Sequence, residues 1–225
     1  MKEDKSYASE YVNLQWSVYR EDPEVAISLL NDFYDQYSEQ DLNGELKIMI
    51  NASKGNILYV NGHLERALPI YKELMHEMPR SSIIYTSMLE RVSTILISFN
   101  KREEAISPVV DYLNKEQISW NNTLIMLKVL CVNNESIELE KFRSHIDWVA
   151  QDLGLAVPHQ TVMEDVEYLV RENSAANRRH MSLSISYNAL SSEDRVEMLE
   201  KYIADEQVGF YRNLAIKKLN DQKDR

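Results

Sequence analysis

Apolar residues return at three- and four-residue intervals over much of this chain, the period of a helix that keeps one face in a core. Val162, Val166, Leu169 and Val170 hold that spacing, as do Val196, Leu199, Tyr202 and Ile203 behind Ser192-Glu193-Asp194, whose early acids suit the positive end of a helix dipole. A last helix runs from Gln207 through Phe210, Tyr211, Leu214 and Lys218 to Leu219, with its basic residues late. Longer apolar stretches cover 83–99 and 120–132, and short turn signals punctuate the rest: Asp22-Pro23, Gly62, Asn100-Lys101 and Asn133-Asn134. One segment, 171–189, breaks the pattern. It mixes Asn173-Ser174, the basic cluster Arg178-Arg179-His180 and the alternation Ser182-Leu183-Ser184-Ile185-Ser186-Tyr187, which reads as readily as a loop or a strand.

Composition agrees with helix. Only 5 Gly and 5 Pro stand among 225 residues, about a third of the usual share, whereas a β-sandwich or barrel needs a turn every 8–12 residues or so. With 44% apolar and 27% charged residues the chain can bury a substantial core.

Self-similarity organises the first two thirds. The segment 51–79 places Gly55, Gly62 seven later, Ala67 five later, Tyr71 four later, Leu74 three later and Pro79 five later. Small residues at Gly55 and Ala67 let two helices approach, Gly62 supplies a turn between them, and Pro79 cannot continue the second helix. This spacing resembles the tetratricopeptide repeat, a helix pair of about 34 residues. The pattern recurs more weakly around Ala26, 41 residues before Ala67, and around Ala105, 38 after it; a fourth, degenerate unit has Leu139 where a small residue is expected, 34 after Ala105. The resemblance implies an all-α, right-handed α-solenoid of antiparallel helix pairs: about four pairs over residues 1–154, the best repeat at 46–79, and a C-terminal helical cap or small helical subdomain over 155–225.

The formal charge of −11 argues against a general affinity for nucleic acid or anionic membranes, and its concentration toward the N-terminus, with 9 acidic and 3 basic residues in 1–40, favours a neutral or basic partner. No apolar run approaches the ~20 residues of a membrane span, and no apolar segment follows Met1-Lys2-Glu3-Asp4-Lys5-Ser6, so the expected location is cytoplasmic. Three Asn-x-Ser/Thr triplets, at Asn51, Asn121 and Asn134, come without a secretion signal and read as chance matches. Cys131, the sole cysteine, sits in an apolar run and reads as a core residue. The five histidines have no metal-ligand spacing, and the sequence carries no phosphate loop, no Gly-x-Ser-x-Gly elbow and no His-x-Glu accompanied by a pair of cysteines. The expectation is a non-catalytic protein with no metal and no cofactor.

What the resemblance implies for function is binding, on a concave face lined by the first helix of each pair. Its groove-facing spacing selects Met49, Ala52, Asn56 and Tyr59 around Gly55; Tyr11, Gln15 and Val18 in the first unit; Glu90, Thr94 and Ile97 in the third; and Leu124 and Lys128 in the fourth. One subtype clamps a terminal carboxylate with Lys, Asn and Arg side chains. Asn56 fits that set, but Ala52 and Glu90 stand where cations are wanted, so a carboxylate clamp is not expected. The leading expectation is a scaffold or adaptor for a protein or peptide. Two alternatives need no catalytic residues either: an inhibitor or immunity-type protein that caps a basic toxin or nuclease, and the peptide-sensing part of a regulator.

Overall fold

The computed structural model describes residues 7–115, 119–188 and 190–223, and among them every regular element is helical. The chain divides into two compact units, Met1–Ala105 and Ile106–Arg225. The first holds α1 (Tyr7–Val18), α2 (Pro23–Tyr37), a short 3₁₀ turn (Ser38–Gln40), α3 (Glu45–Val60), α4 (Leu64–Glu77) and α5 (Ile83–Ser98). The division falls inside α6 (Arg102–Lys115). The second unit continues with α7 (Trp120–Val132), α8 (Ser136–Lys141), α9 (Arg143–Leu153), α10 (Val162–Tyr187), α11 (Ser192–Asp205) and α12 (Gly209–Lys223). Residues on both sides of position 154, where the repeats were expected to give way to a cap, therefore lie in one compact unit.

Helix starts follow from short polar side chains. Asp22 accepts from the Glu24 N–H at 2.9 Å with Pro23 at the first helical position, and Ser82 accepts from the Ile84 N–H at 3.1 Å. Thr161 and Glu164 form a reciprocal capping box at the head of α10.

The stops are more telling. Gly62, Asn100 and Asn134 all have left-handed backbone, with φ of 79°, 59° and 57°. In each case the next residue's N–H closes a six-residue turn on the carbonyl five residues back: His63 to Leu58 O, Lys101 to Leu96 O and Glu135 to Leu130 O, at 2.8, 2.8 and 3.0 Å. Glycine and asparagine are the residues that tolerate this conformation, so Asn100-Lys101 and Asn134-Glu135 do the work of Gly62-His63 with the same hydrogen bonds. The returning carbonyl belongs to a buried leucine each time. Five residues after each left-handed position stands Ala67, Ala105 or Leu139, all buried.

In the first unit the α3/α4 seam is built on Gly55. A Cβ there would lie 2.7 Å from Tyr71 Cε1, so only glycine admits the buried Tyr71 ring. Helix α4 ends at Glu77, and Met78 is extended with ψ of 141°, as the residue before Pro79 must be. Leu30, Leu46, Ile50 and Leu74 are fully buried around these helices, each contributing roughly 1.5–3 kcal/mol.

The second unit is centred on α7. Leu124, Met126, Leu127, Val129, Leu130 and Cys131 are all buried, because α8, α9 and α10 pack on different sides of this helix. The stretch 136–153 is interrupted at Phe142 (φ −106°, ψ 23°), which separates α8 from α9. Arg143, the residue after the break, donates to the fully buried Asp165 carboxylate of α10 at 2.7 Å, and Asp165 also accepts from the His159 N–H at 3.0 Å.

The loop or strand considered for 171–189 is corrected to helix: α10 runs unbroken to Tyr187, while Ala189 lies outside the described residues. The alternation at 182–187 misleads because its apolar members separate. Leu183 and Tyr187, four apart, are buried, while Ile185 between them is 74% exposed. The stripe Leu169, Ala176, Leu183, Tyr187 has helical spacing, and its packing overrides the local period-two pattern.

Candidate functional site

Within the first unit, α1, α3 and α5 together line a pocket of about 330 Å³. Tyr11 and Gln15 enter from α1; Ile48, Met49, Ala52, Ser53 and Asn56 from α3; Ile83, Ile84, Ser87 and Met88 from α5. Positions on α3 at intervals of three and four share one helix face, which is why one short stretch supplies five lining residues.

A hydrogen-bond network fixes the polar wall. The Tyr11 hydroxyl donates to Met49 O at 2.8 Å and shares a hydrogen bond with Ser53 Oγ at 2.7 Å. Gln15 Nε2 donates to the Tyr11 hydroxyl at 2.8 Å and to Ser53 Oγ at 2.9 Å. Burial raises the Tyr11 pKa, against the opposing effect of the Ser53 and Gln15 bonds, so the hydroxyl keeps its proton at neutral pH. Nearby, the Tyr71 hydroxyl donates to Asn56 Oδ1 at 2.9 Å. With Gln15 engaged through nitrogen and Asn56 through oxygen, the Gln15 carbonyl stays available to accept and the Asn56 NH₂ to donate.

Five of the residues expected on a binding face thus meet in one pocket: Tyr11, Gln15, Met49, Ala52 and Asn56. Met49 is 36% exposed at the rim. Val18 does not belong to this face. It is 0% exposed and sits in the core with Ala26, Leu30 and Phe33, because it is the last residue of α1, where α2 turns back and packs over it. Leu124 is likewise a buried core residue of α7. Lys128 is half-buried on α7, in the second unit.

On α5 the expected residues lie outside the pocket lining. Glu90 is half-buried, Thr94 is exposed and bonds Glu90 O at 2.9 Å, and Ile97 packs against the core of the first unit. Helix α5 contributes its first turns instead. Ser87 stands 18 residues before Ala105, as Met49 does before Ala67, so the same counting extended one turn earlier reaches it. Ile83, Ile84 and Met88 had no comparable signal within an apolar helix.

Tyr59 is half-buried beside the pocket lining. Its ring meets Tyr71 edge-on at 6.3 Å and lies under the Arg91 guanidinium, 4.9 Å from the centroid. Arg91 also sits 6.0 Å from the Tyr71 ring. Burial raises the Tyr71 pKa, with the Arg91 charge opposing. Arg91 is a cation that counting back from Ala105 passed over.

Other chemistry is thin. Among the described residues no group of three His, Cys, Asp or Glu side chains could hold a metal ion, and no helix is long and apolar enough to cross a membrane. Cys131 is buried with its thiol directed at Met163 O (3.6 Å), and burial pushes its pKa up to about 11, which disfavours the thiolate at neutral pH. Compared with known proteins, the chain matches no family model, no curated protein and no solved structure.

Proposed function

We propose that this protein is a non-catalytic binding module, a tetratricopeptide-like, right-handed solenoid of antiparallel helix pairs whose concave face, formed by α1, α3 and α5, holds an extended segment of a partner protein. The observation that carries the reading is the pocket shared by those three helices, in which Tyr11, Gln15, Met49, Ala52 and Asn56 converge from separate stretches of sequence. The recurring left-handed stops at Gly62, Asn100 and Asn134 support a common helix-pair unit beneath it.

The pocket chemistry favours a neutral partner. Among the described residues no charged one lines it, and its apolar walls are Ile48, Met49, Ala52, Ile83, Ile84 and Met88. An apolar side chain of the partner enters there, while the Gln15 carbonyl and Asn56 NH₂ meet the N–H and C=O of its backbone, a pairing that reads an extended chain without demanding charge. The module acts as a scaffold or adaptor in the cytoplasm.

A displayed random-peptide library tests this. Wild-type protein is expected to enrich sequences sharing a central apolar residue. Q15A/N56A should weaken their binding at least tenfold, and A52W, which fills the pocket, should abolish it; E90A and T94A, outside the lining, should leave it unchanged. No enrichment, or equal binding by all four variants with unaltered melting profiles, would defeat the reading.

A further inference from the structure

A second cavity, of about 590 Å³, lies in the second unit between α10 and α11, within the usual 300–1,000 Å³ range of small-molecule sites. Two helical stripes line it: Ala175, Arg178, Arg179, Ser182, Leu183 and Ser186 on α10, facing Met198, Lys201, Tyr202 and Asp205 on α11. The Arg178-Arg179 pair conspicuous in the sequence is thus part of a cleft wall.

The cleft has two chemically different ends. At one, the Arg195 side chain donates to Tyr187 O at 2.9 Å, which sets Ser186, Leu183 and Met198 near each other. At the other, Arg179 makes two bonds, of 2.9 and 2.7 Å, to the carboxylate of Glu206, whose side chain is 0% exposed and also accepts from the Val208 N–H at 2.9 Å. That pair anchors Arg179 with 47% of its side chain still exposed. Arg178 and Lys201 are exposed, and no acid is bonded to either among the described residues. Among the described residues Asp205 is the one carboxylate in the lining, against three cations of which Arg179 alone is paired, with Glu206, in a protein of net charge −11.

We infer that this cleft binds a small amphipathic organic anion, a carboxylate with an apolar tail, its headgroup met by Arg178 and Lys201 and its tail laid along Leu183 and Met198. The local excess of positive charge supplies the attraction and the apolar end the burial. The stripe from Ala175 to Ser186 spans ~16 Å of helix, room for a medium-length chain. Ser182 also lines the cleft, and the Arg179 bond to the buried Glu206 carboxylate holds α10 against the start of α12.

Titration calorimetry with octanoate, and with 1-octanol as the neutral twin, tests the assignment on the full chain. Saturable one-to-one binding of octanoate is expected, with octanol at least tenfold weaker. R178Q/K201Q should lose at least tenfold for octanoate while R178K/K201R stays within about threefold, and S182W, a change at an exposed position, should block binding by filling the cleft. S87W, which fills the first unit's pocket, should have no effect, so failure here leaves the peptide reading untouched and the reverse holds too. Absence of octanoate binding at millimolar concentration, equal affinity for octanol, or an unaltered R178Q/K201Q would each overturn the proposal.

Discussion

The α3/α4 pair and the α7/α8 pair are stopped by the same backbone device and held together by opposite side chains. Both first helices end in a left-handed residue, Gly62 or Asn134, with the same six-residue return bond. Seven residues before that stop the first pair has Gly55 and the other Leu127; five after it, the first has Ala67 and the other Leu139. Small residues give the first pair a seam close enough for Tyr71 to press on Gly55, while buried leucines take the matching positions of the second. Turn geometry, then, is what the units share, and the small-residue signature is one of several ways to fill the space the turn creates.

The largest effect should come from removing bulk from the leucine seam of the α7/α8 pair. Leu139 is fully buried, and Leu139→Ala should cost about 3 kcal/mol, because α8 cannot close the gap while Arg143 is tied to Asp165. Urea denaturation measures it; a loss under 1 kcal/mol would mean that α8 closes over the space the leucine leaves. Adding bulk to the narrow seam comes next. Gly55→Ala gains about 1 kcal/mol of helix propensity but drives a methyl into Tyr71, for a net loss of about 1–2 kcal/mol. In a Tyr71→Ala background that loss should disappear, and a double-mutant cycle reads the coupling.

The two units should also differ in acid. Burial alone would raise the Glu206 pKa, yet the Arg179 and Val208 hydrogen bonds outweigh it and hold the carboxyl below its ordinary 4.5. A depressed folded pKa gives stability that is fully present above the unfolded value and lost as pH falls through the folded one. Hydrogen exchange between pH 5 and 3 should therefore loosen α10 and α12 in the wild type, and Glu206→Gln, about 2 kcal/mol less stable at pH 7, should flatten that dependence. The smallest effect probes the shared stop. Asn134→Ala should cost about 1 kcal/mol for a left-handed alanine, while Asn134→Gly should be neutral or slightly stabilising, by thermal melting.

Helices were legible where caps and period agreed. Gly62, Asn100-Lys101 and Asn133-Asn134 marked true stops because left-handed backbone restricts residue type strongly. In 171–189 the local alternation pointed the wrong way, since burial of Leu183 and Tyr187 depends on α11 and α12, which no window of that segment contains. The pocket was half legible for a related reason. On α3 the glycine and alanine fix the register, so Met49, Ala52 and Asn56 were found; on α1 the same count found Tyr11 and Gln15, while Val18, at the helix end, is buried under α2, and on α5 the pocket draws on the first turns rather than on Glu90, Thr94 and Ile97. The α10/α11 cleft left only the Arg178-Arg179 pair as its trace, because its other wall lies about 20 residues on.

The central claim is that the face of α1, α3 and α5 receives a partner segment. Side-chain amide NMR of Gln15 and Asn56 during titration with a library-selected peptide tests it most directly, since one group of each amide is free to meet the peptide backbone. The account predicts saturable shifts of both NH₂ pairs, together with the Met49 and Met88 methyl signals, at the affinity measured independently. Binding of the same peptide with these four residues unmoved would contradict it.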